Sequence, residues 1–191
     1  MAFLPKGSLR GTDHGAMPPR MPLIANSAVV AVGEAVKLNS TGYATNATAD
    51  DALLGIVVGF AKADGTPLAP DAYVAGTATS SDVQSVTAAA DNVTVAKKRV
   101  LVQVDPMMVW SVNVTGTLGT TADSPTATDD AIGGWVNVDS AGALYGTLLE
   151  STFSRTDGQD QNFFCWGVDP ADTTRYLVNI ANPIFLSEQT A

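Results

Sequence analysis

The sequence predicts an all-β fold: a sandwich or barrel of many short antiparallel strands, with two lobes as one arrangement, behind an extended N-terminal arm. Three observations predict it. β-Branched residues arrive in short bursts separated by Gly, Asn, Asp, Ser and Pro, as strands joined by tight turns require. No window of ten or more residues combines apolar spacings of three and four with helix-forming side chains. Hydrophobic residues make up 46% of the 191 positions and charged ones only 15%, which leaves the surface to Thr, Ser, Asn, Gly and Ala. A chain of this length buries roughly 70% of the surface its unfolded form exposes, so a real core needs no metal or disulfide.

Residues 1–27 read as the arm. "MPPRMP" (17–22) fixes φ at three of six positions and biases the residue before each proline toward extended backbone. Gly7, Gly11 and Gly15 loosen the rest, while Phe3, Leu4, Leu9, Leu23 and Ile24 are apolar anchors that a simply disordered tail would lack. Lys6, Arg10 and Arg20 stand against Asp13 in residues 1–25, whereas residues 26–191 carry seven positive and eighteen negative groups of a total net charge of −9. The expectation is an arm that orders on a partner, Phe3, Leu4, Leu9, Leu23 and Ile24 inserting while Lys6, Arg10 and Arg20 meet carboxylates. Deleting residues 1–25 should then leave a folded domain.

The β-domain is expected over 28–191, with a sub-boundary near 97–99. Val29–Val32 leads through a Gly33–Glu34 turn to Ala35–Leu38, and "NSTG" (39–42) turns back into Tyr43–Thr45. "LLGIVVGF" (53–60) is apolar on both sides, as a strand covered on two faces would be. "ADGTP" (63–67) is a turn, followed by a short strand at Tyr73–Ala75. "SVTAAAD" (85–91) is the best local helix candidate. "NVTVAKKRVLVQV" (92–104) alternates at Val93 and Val95, then at Val100, Val102 and Val104, with Lys97–Arg99 as a solvated connection or an electrostatic contact. "MVWSVNV" (108–114), "WVNV" (135–138), "ALYGTLL" (143–149), "NFFCWGV" (162–168) and "RYLVNI" (175–180) complete the strands around a Gly/Thr/Asp-rich loop at 115–134.

The residues for catalysis are scarce. His14 is the sole histidine and lies in the arm; Cys165 is the sole cysteine, inside an apolar strand that raises its pKa and hides it. The Asp-rich stretches 49–51, 128–130 and 157–160 read as turn formers rather than calcium ligands, because Asp and Asn bond to nearby backbone. No phosphate-binding or dinucleotide motif is present, so no enzyme, cofactor or metal is expected. An acidic body repels phosphate, which argues against nucleic acid. No stretch approaches a membrane span. The N-terminus lacks a signal-peptide apolar run, so the Asn-x-Thr sequons at Asn39, Asn46, Asn92 and Asn113 read as chance. Trp110, Trp135, Phe163, Phe164 and Trp166 read chiefly as core, with a sugar-binding face as the alternative.

Residues 27–61 resemble the decoration, or cement, proteins of tailed-phage capsids. The family pattern is a valine-rich strand (Val29–Val32), a Gly–acidic turn (Gly33-Glu34), "V-x-L" (Val36–Leu38), a Gly-containing hairpin (Gly42-Tyr43), "A-T-A-D" (Ala47–Asp50) and an apolar glycine-bounded strand (Leu54–Gly59). "RVLVQVDPMMVWSVNV" (99–114) and "IGGWVNV" (132–138) are similar to the later strands; the arm lies outside the resemblance. The resemblance implies a structural protein made in the host cytoplasm and carried on the outer surface of the virion. It would bind major capsid protein across subunit boundaries as a dimer or trimer. The alternatives are another virion β-protein (tail, baseplate or head fibre) and a carbohydrate-binding or adhesin module.

Overall fold

The computed structural model describes residues 3–8, 18–68, 85–115, 133–139, 147–155 and 160–184. Among them are twelve strands: β1 (Leu4–Ser8), β2 (Val29–Ala31), β3 (Ala35–Leu38), β4 (Ala44–Asn46), β5 (Gly55–Ala61), β6 (Ser85–Thr87), β7 (Arg99–Gln103), β8 (Met108–Thr115), β9 (Gly134–Val138), β10 (Thr147–Ser154), β11 (Phe163–Asp169) and β12 (Asp172–Ile180). The fold is all-β, as expected. The strand at Tyr73–Ala75 and most of the 115–134 loop lie outside the described residues.

The strands form two closed circuits of pairing. In the first lobe β4 pairs β3, β3 pairs β5 and β5 pairs β7. Residues 20–25 then join β7 back to β4: Arg20 N–H donates to Val102 O, Val102 N–H returns to Arg20 O, Ile24 N–H donates to Lys98 O, and Ala44 N–H donates to Leu23 O. Inside this ring lie Ile24, Val36, Ala44, Val57, Phe60, Val100 and Val102, with Val30 and Val86 of the small β2–β6 sheet, and Ala88 just after it, packed in the same cluster. In the second lobe β8 pairs β10, β10 pairs β9, β9 pairs β11, β11 pairs β12, and β12 pairs β8. Closure of this kind removes sheet edges that would otherwise invite aggregation. The β8–β10 pair is parallel, a departure from the antiparallel expectation, because β9 intervenes in sequence between the two strands.

The lobes share a wall. Ala35 and Ile56 of β3 and β5 pack with Trp110, Val112, Val136, Leu148, Phe163, Tyr176 and Val178 of the second lobe, whereas Val36 and Val57, one residue along, face the first lobe's interior. Adjacent residues of a strand point to opposite faces, so β5 is covered on both sides, as its unbroken apolar run predicts. Polar bonds seal the seam. Asp50 and Asn137 bond reciprocally, Asn162 Nδ2 donates to Asp51 O, and Asn162 Oδ1 accepts from Val138 N–H.

Two turns follow their local chemistry. Gly33 adopts φ 80° and Gly42 φ 81°, backbone that glycine enters without steric cost. Asn39 Oδ1 holds the second turn by accepting from the N–H groups of Thr41 and Tyr43. The Gly33–Glu34 turn does not make a hairpin, however: β2 pairs β6 while β3 pairs β4 and β5, so the turn is a corner between sheets.

Four expectations need correction. The helix candidate at 85–91 is instead strand β6 (Ser85–Thr87) followed by a turn, its backbone pairing with β2. Residues 92–96 form a single π-helical turn, not a strand, and Val95 stands exposed. The carboxamide of buried Asn92 explains it, donating to Ile24 O and Lys98 O and accepting from Lys98 N–H, so a side chain does the work of a ladder. Residues 97–99 accordingly lie inside the first lobe; the passage between lobes falls at Asp105–Pro106, between β7 and β8. The described part of the expected arm, residues 3–8 and 18–27, is not free either. Residues 20–25 complete the first ring, and β1 lies antiparallel against β8 of the second, with Leu4 opposite Ser111 and Ser8 opposite Met108.

Candidate functional site

The residues singled out from the sequence are scattered by the fold. Phe3 is 3% exposed and stacks on Phe163, ring centroids 4.8 Å apart, while its N–H donates to Gly33 O. It thus bonds to the first lobe and fills a place in the core of the second. Ile24 is fully buried in the first lobe. Neither side chain is available to insert into a partner while this fold holds; the hydrophobic effect that would drive such insertion is satisfied within the chain.

Lys6 Nζ lies 2.8 Å from Asp169 Oδ2. The Lys6 ammonium, with Ser111 assisting, holds the Asp169 carboxyl down to about 2. Leu23 is half-buried beside Arg99, Arg20 is exposed at the edge of the first ring, and Leu4 is exposed on the outer face of the second lobe. Leu9 and Arg10 lie outside the described residues, as does His14.

Cys165 is buried, and burial pushes its thiol up to about 11, so it stays an inert thiol at neutral pH. Asp51 shows the turn chemistry expected of the 49–51 stretch; 128–130 and 157–159 lie outside the described residues. Burial opposes its charge, yet hydrogen bonds from Lys37 and Thr48 outweigh burial and hold its carboxyl below the usual range. Among the described residues, no group of three or more His, Cys, Asp or Glu side chains is placed to hold a metal ion.

Glu34, expected in a turn, is buried at the corner between β2 and β3. Its Oε2 accepts from Ala31 N–H at 2.7 Å and from Asn46 Nδ2 at 2.9 Å. Burial dominates these bonds and pushes the carboxyl up to about 7. No sequence signal marks this, because a Gly–Glu pair reads as a solvent-exposed turn.

The feature with the chemistry of a binding surface is an aromatic ridge on the outer face of the second lobe. β9 and β11 alternate, so Val136, Phe163 and Cys165 point inward while Trp135, Phe164 and Trp166 point outward. Phe164 meets Trp135 edge-on at 5.5 Å and Trp166 edge-on at 4.9 Å. Trp166 is 44% exposed, and its indole Nε1–H donates to Asn179 Oδ1, while Asn179 Nδ2 donates to Pro106 O. The indole is thereby fixed with much of its surface open to solvent. Met107, next to Pro106, is exposed as well. The aromatic residues read together from the sequence as core are therefore divided: Trp110 and Phe163 are core, and the other three form the ridge. The strand alternation of "NFFCWGV" carries that division, but which set faces out depends on what covers the sheet.

No family model matches this chain, and neither a curated protein nor a solved structure matches it at a significant level.

Proposed function

We propose that this chain is a structural, non-enzymatic protein of a tailed-phage virion, bound to the outer surface of the shell across boundaries between major capsid protein subunits. The observation that carries this reading is the aromatic ridge of Trp135, Phe164 and Trp166 on a body closed by two rings of strands. Large aromatic side chains that are already rigid bury much area at little entropic cost, and they dominate protein interfaces. A surface poor in charge supports the same reading, since few groups need desolvation on contact. The resemblance over residues 27–61 supplies the class of partner. The contact surface differs from the one expected from the sequence: it centres on the ridge and exposed Leu4, because Phe3, Ile24 and Lys6 are engaged within the chain.

The test is co-sedimentation of the full-length protein with capsids of the matching phage, beside Trp166→Ala and Leu4→Ala variants of unchanged circular dichroism. We expect the full-length protein to pellet with capsids, and Trp166→Ala to weaken binding by roughly thirtyfold or more, the effect of losing an interface anchor. Failure of the full-length protein to pellet would remove the proposal. Undiminished binding by both variants would remove the ridge from it.

One observation favours a second reading. A Trp ring fixed at its N–H edge and open on a face also suits stacking against a sugar, in a carbohydrate-binding module. Quenching of Trp fluorescence by a neutral oligosaccharide such as chitohexaose, abolished in Trp166→Ala, is the result that would favour it.

A further inference from the structure

One edge of β8 is shared by two strands. Trp110 and Ser111 have Val178 and Leu177 of β12 on one side and Pro5 and Leu4 of β1 on the other. Asn113 has Arg175 of β12 on the first side and Thr147 of β10 on the second. β10 thus covers residues 113–115 of that edge, and β1, running antiparallel, covers 108–111. Without β1 the second ring is still closed through β10, but among the described residues no other strand pairs with 108–111 on that side.

Three features make this stretch a socket for a strand of particular sequence. The edge of β8 offers the ladder. The Phe163 ring, which Phe3 covers at 4.8 Å, offers an aromatic seat in the core. The buried carboxylate of Asp169, 2.8 Å from Lys6 Nζ, is matched by a cation three positions beyond the aromatic residue. Main-chain bonds give such a contact its affinity, and the side-chain seats give it specificity. Of the six Phe in the sequence, Phe3 is the one with Lys or Arg three residues on. The segment that fits the socket is therefore β1, from the same chain or from another copy of it. β1 is also loosely fixed to its own chain. It has five residues, Pro5 has no N–H to donate, and the register shifts between Pro5 and Gly7. Its cross-strand partners, its aromatic stack and its ion pair all belong to the second lobe, and one backbone bond, from Phe3 N–H to Gly33 O, reaches the first. Residues 9–17 separate β1 from Pro18. A stretch of that length spans up to about 30 Å, the diameter of a small domain, so β1 can reach the socket of a copy lying alongside.

We infer that β1 is exchanged between copies of this chain, β1 of one copy filling the socket of the next with Phe3 against Phe163 and Lys6 against Asp169. The exchanged and unexchanged forms make the same contacts, so concentration and the tether decide between them. A reciprocal exchange closes a twofold dimer; a one-way exchange passes from copy to copy as a ring or an open chain. The inference does not rest on capsid binding.

The experiment mixes the full chain carrying Lys6→Glu with the full chain carrying Asp169→Lys, and native mass spectrometry reads the heterodimer. Each variant alone sets like charges together in its socket. Exchange between the two chains restores an opposite pair, and reciprocal exchange restores both. We expect the mixture to hold roughly tenfold or more heterodimer over the homodimer of either variant alone. The chain carrying both substitutions, with its pair restored inside one copy, should melt as wild type does. A mixture that stays monomeric overturns the inference. So do homodimers as abundant as the heterodimer, which would place the interface away from the socket. Wild type gives a reading that needs no charge reversal. At about 1 mM, the effective concentration of a short tether, it should dimerise. Phe3→Ala, which empties the aromatic seat, should then lower the dimer fraction by roughly tenfold or more. A wild type that is monomeric at that concentration, or a dimer indifferent to Phe3→Ala, overturns the inference as well.

Discussion

Replacing Phe3 with Ala is expected to lower the stability of the whole chain by about 3–5 kcal/mol, the usual cost of emptying a buried Phe site. For a protein of this size that corresponds to a fall in melting temperature on the order of 10 °C. Phe3 is 3% exposed and lies in one cluster with Trp110, Val136, Phe163 and Tyr176, and its ring stacks on Phe163 at 4.8 Å. The chain has one way to reduce the loss, which is to release β1. That exchanges a cavity for an unpaired stretch of β8 and a separated Lys6–Asp169 pair, so the cost is capped at the free energy that docks β1. Leu4, one residue along, points outward and is 48% exposed, and Leu4→Ala should change stability by less than about 0.5 kcal/mol. Urea unfolding gives both numbers. Hydrogen exchange at Val109 and Ser111, opposite Gly7 and Leu4, shows whether β1 has come away. Equal, small effects of the two substitutions would mean that the N-terminal segment is a tether after all. By the same reasoning, removing residues 1–25 deletes Ile24 and the segment that closes the first ring, so the truncated chain should fail to fold rather than persist as a domain.

The N-terminal segment marks the limit of what the sequence tells. In residues 3–8 and 18–25 its prolines and lack of helical spacing correctly indicate extended backbone, and extended backbone needs a hydrogen-bonding partner. The partners are Val102 for Arg20 and Ser111 for Leu4, far along the chain, and no local pattern identifies them. Where the determinant is local, the sequence is legible. Asn39 and Gly42 specify their turn through one carboxamide and one positive φ, and the apolar run at 53–60 announces a strand enclosed on two faces. Val93 and Val95 mislead because β-branching is a weak preference, and three hydrogen bonds from Asn92 outweigh it. The ridge was half legible: alternation separates Phe163 and Cys165 from Phe164 and Trp166, but only the packing of the two lobes decides which pair meets solvent.

Glu34 carries the other large effect, and it is one of pH. The carboxyl has an ordinary value of 4.5 in the unfolded chain and is pushed up to about 7 by burial in the folded one. Between those values the unfolded chain has released a proton that the folded chain still holds. Stability therefore falls as pH rises through the window from 4.5 to about 7 and levels off above it. A shift of that size corresponds to about 3 kcal/mol as an upper figure. Glu34→Gln keeps an oxygen to accept from Ala31 N–H and Asn46 Nδ2 but has no proton to lose. The variant should match wild type near pH 4.5 and exceed it by up to about 3 kcal/mol at pH 8, which is an unusual direction for a substitution of a buried, hydrogen-bonded residue. Asp169 does not confuse the comparison, because its carboxyl is held down to about 2 and has finished titrating below the window. Urea unfolding of both proteins from pH 4.5 to 8.5 measures the difference. Parallel curves would show that the corner of β2 and β3 admits enough water to keep Glu34 ionised, while convergence at low pH and separation at high pH would identify its buried carboxyl as the group that makes the fold less stable in neutral solution than in mild acid.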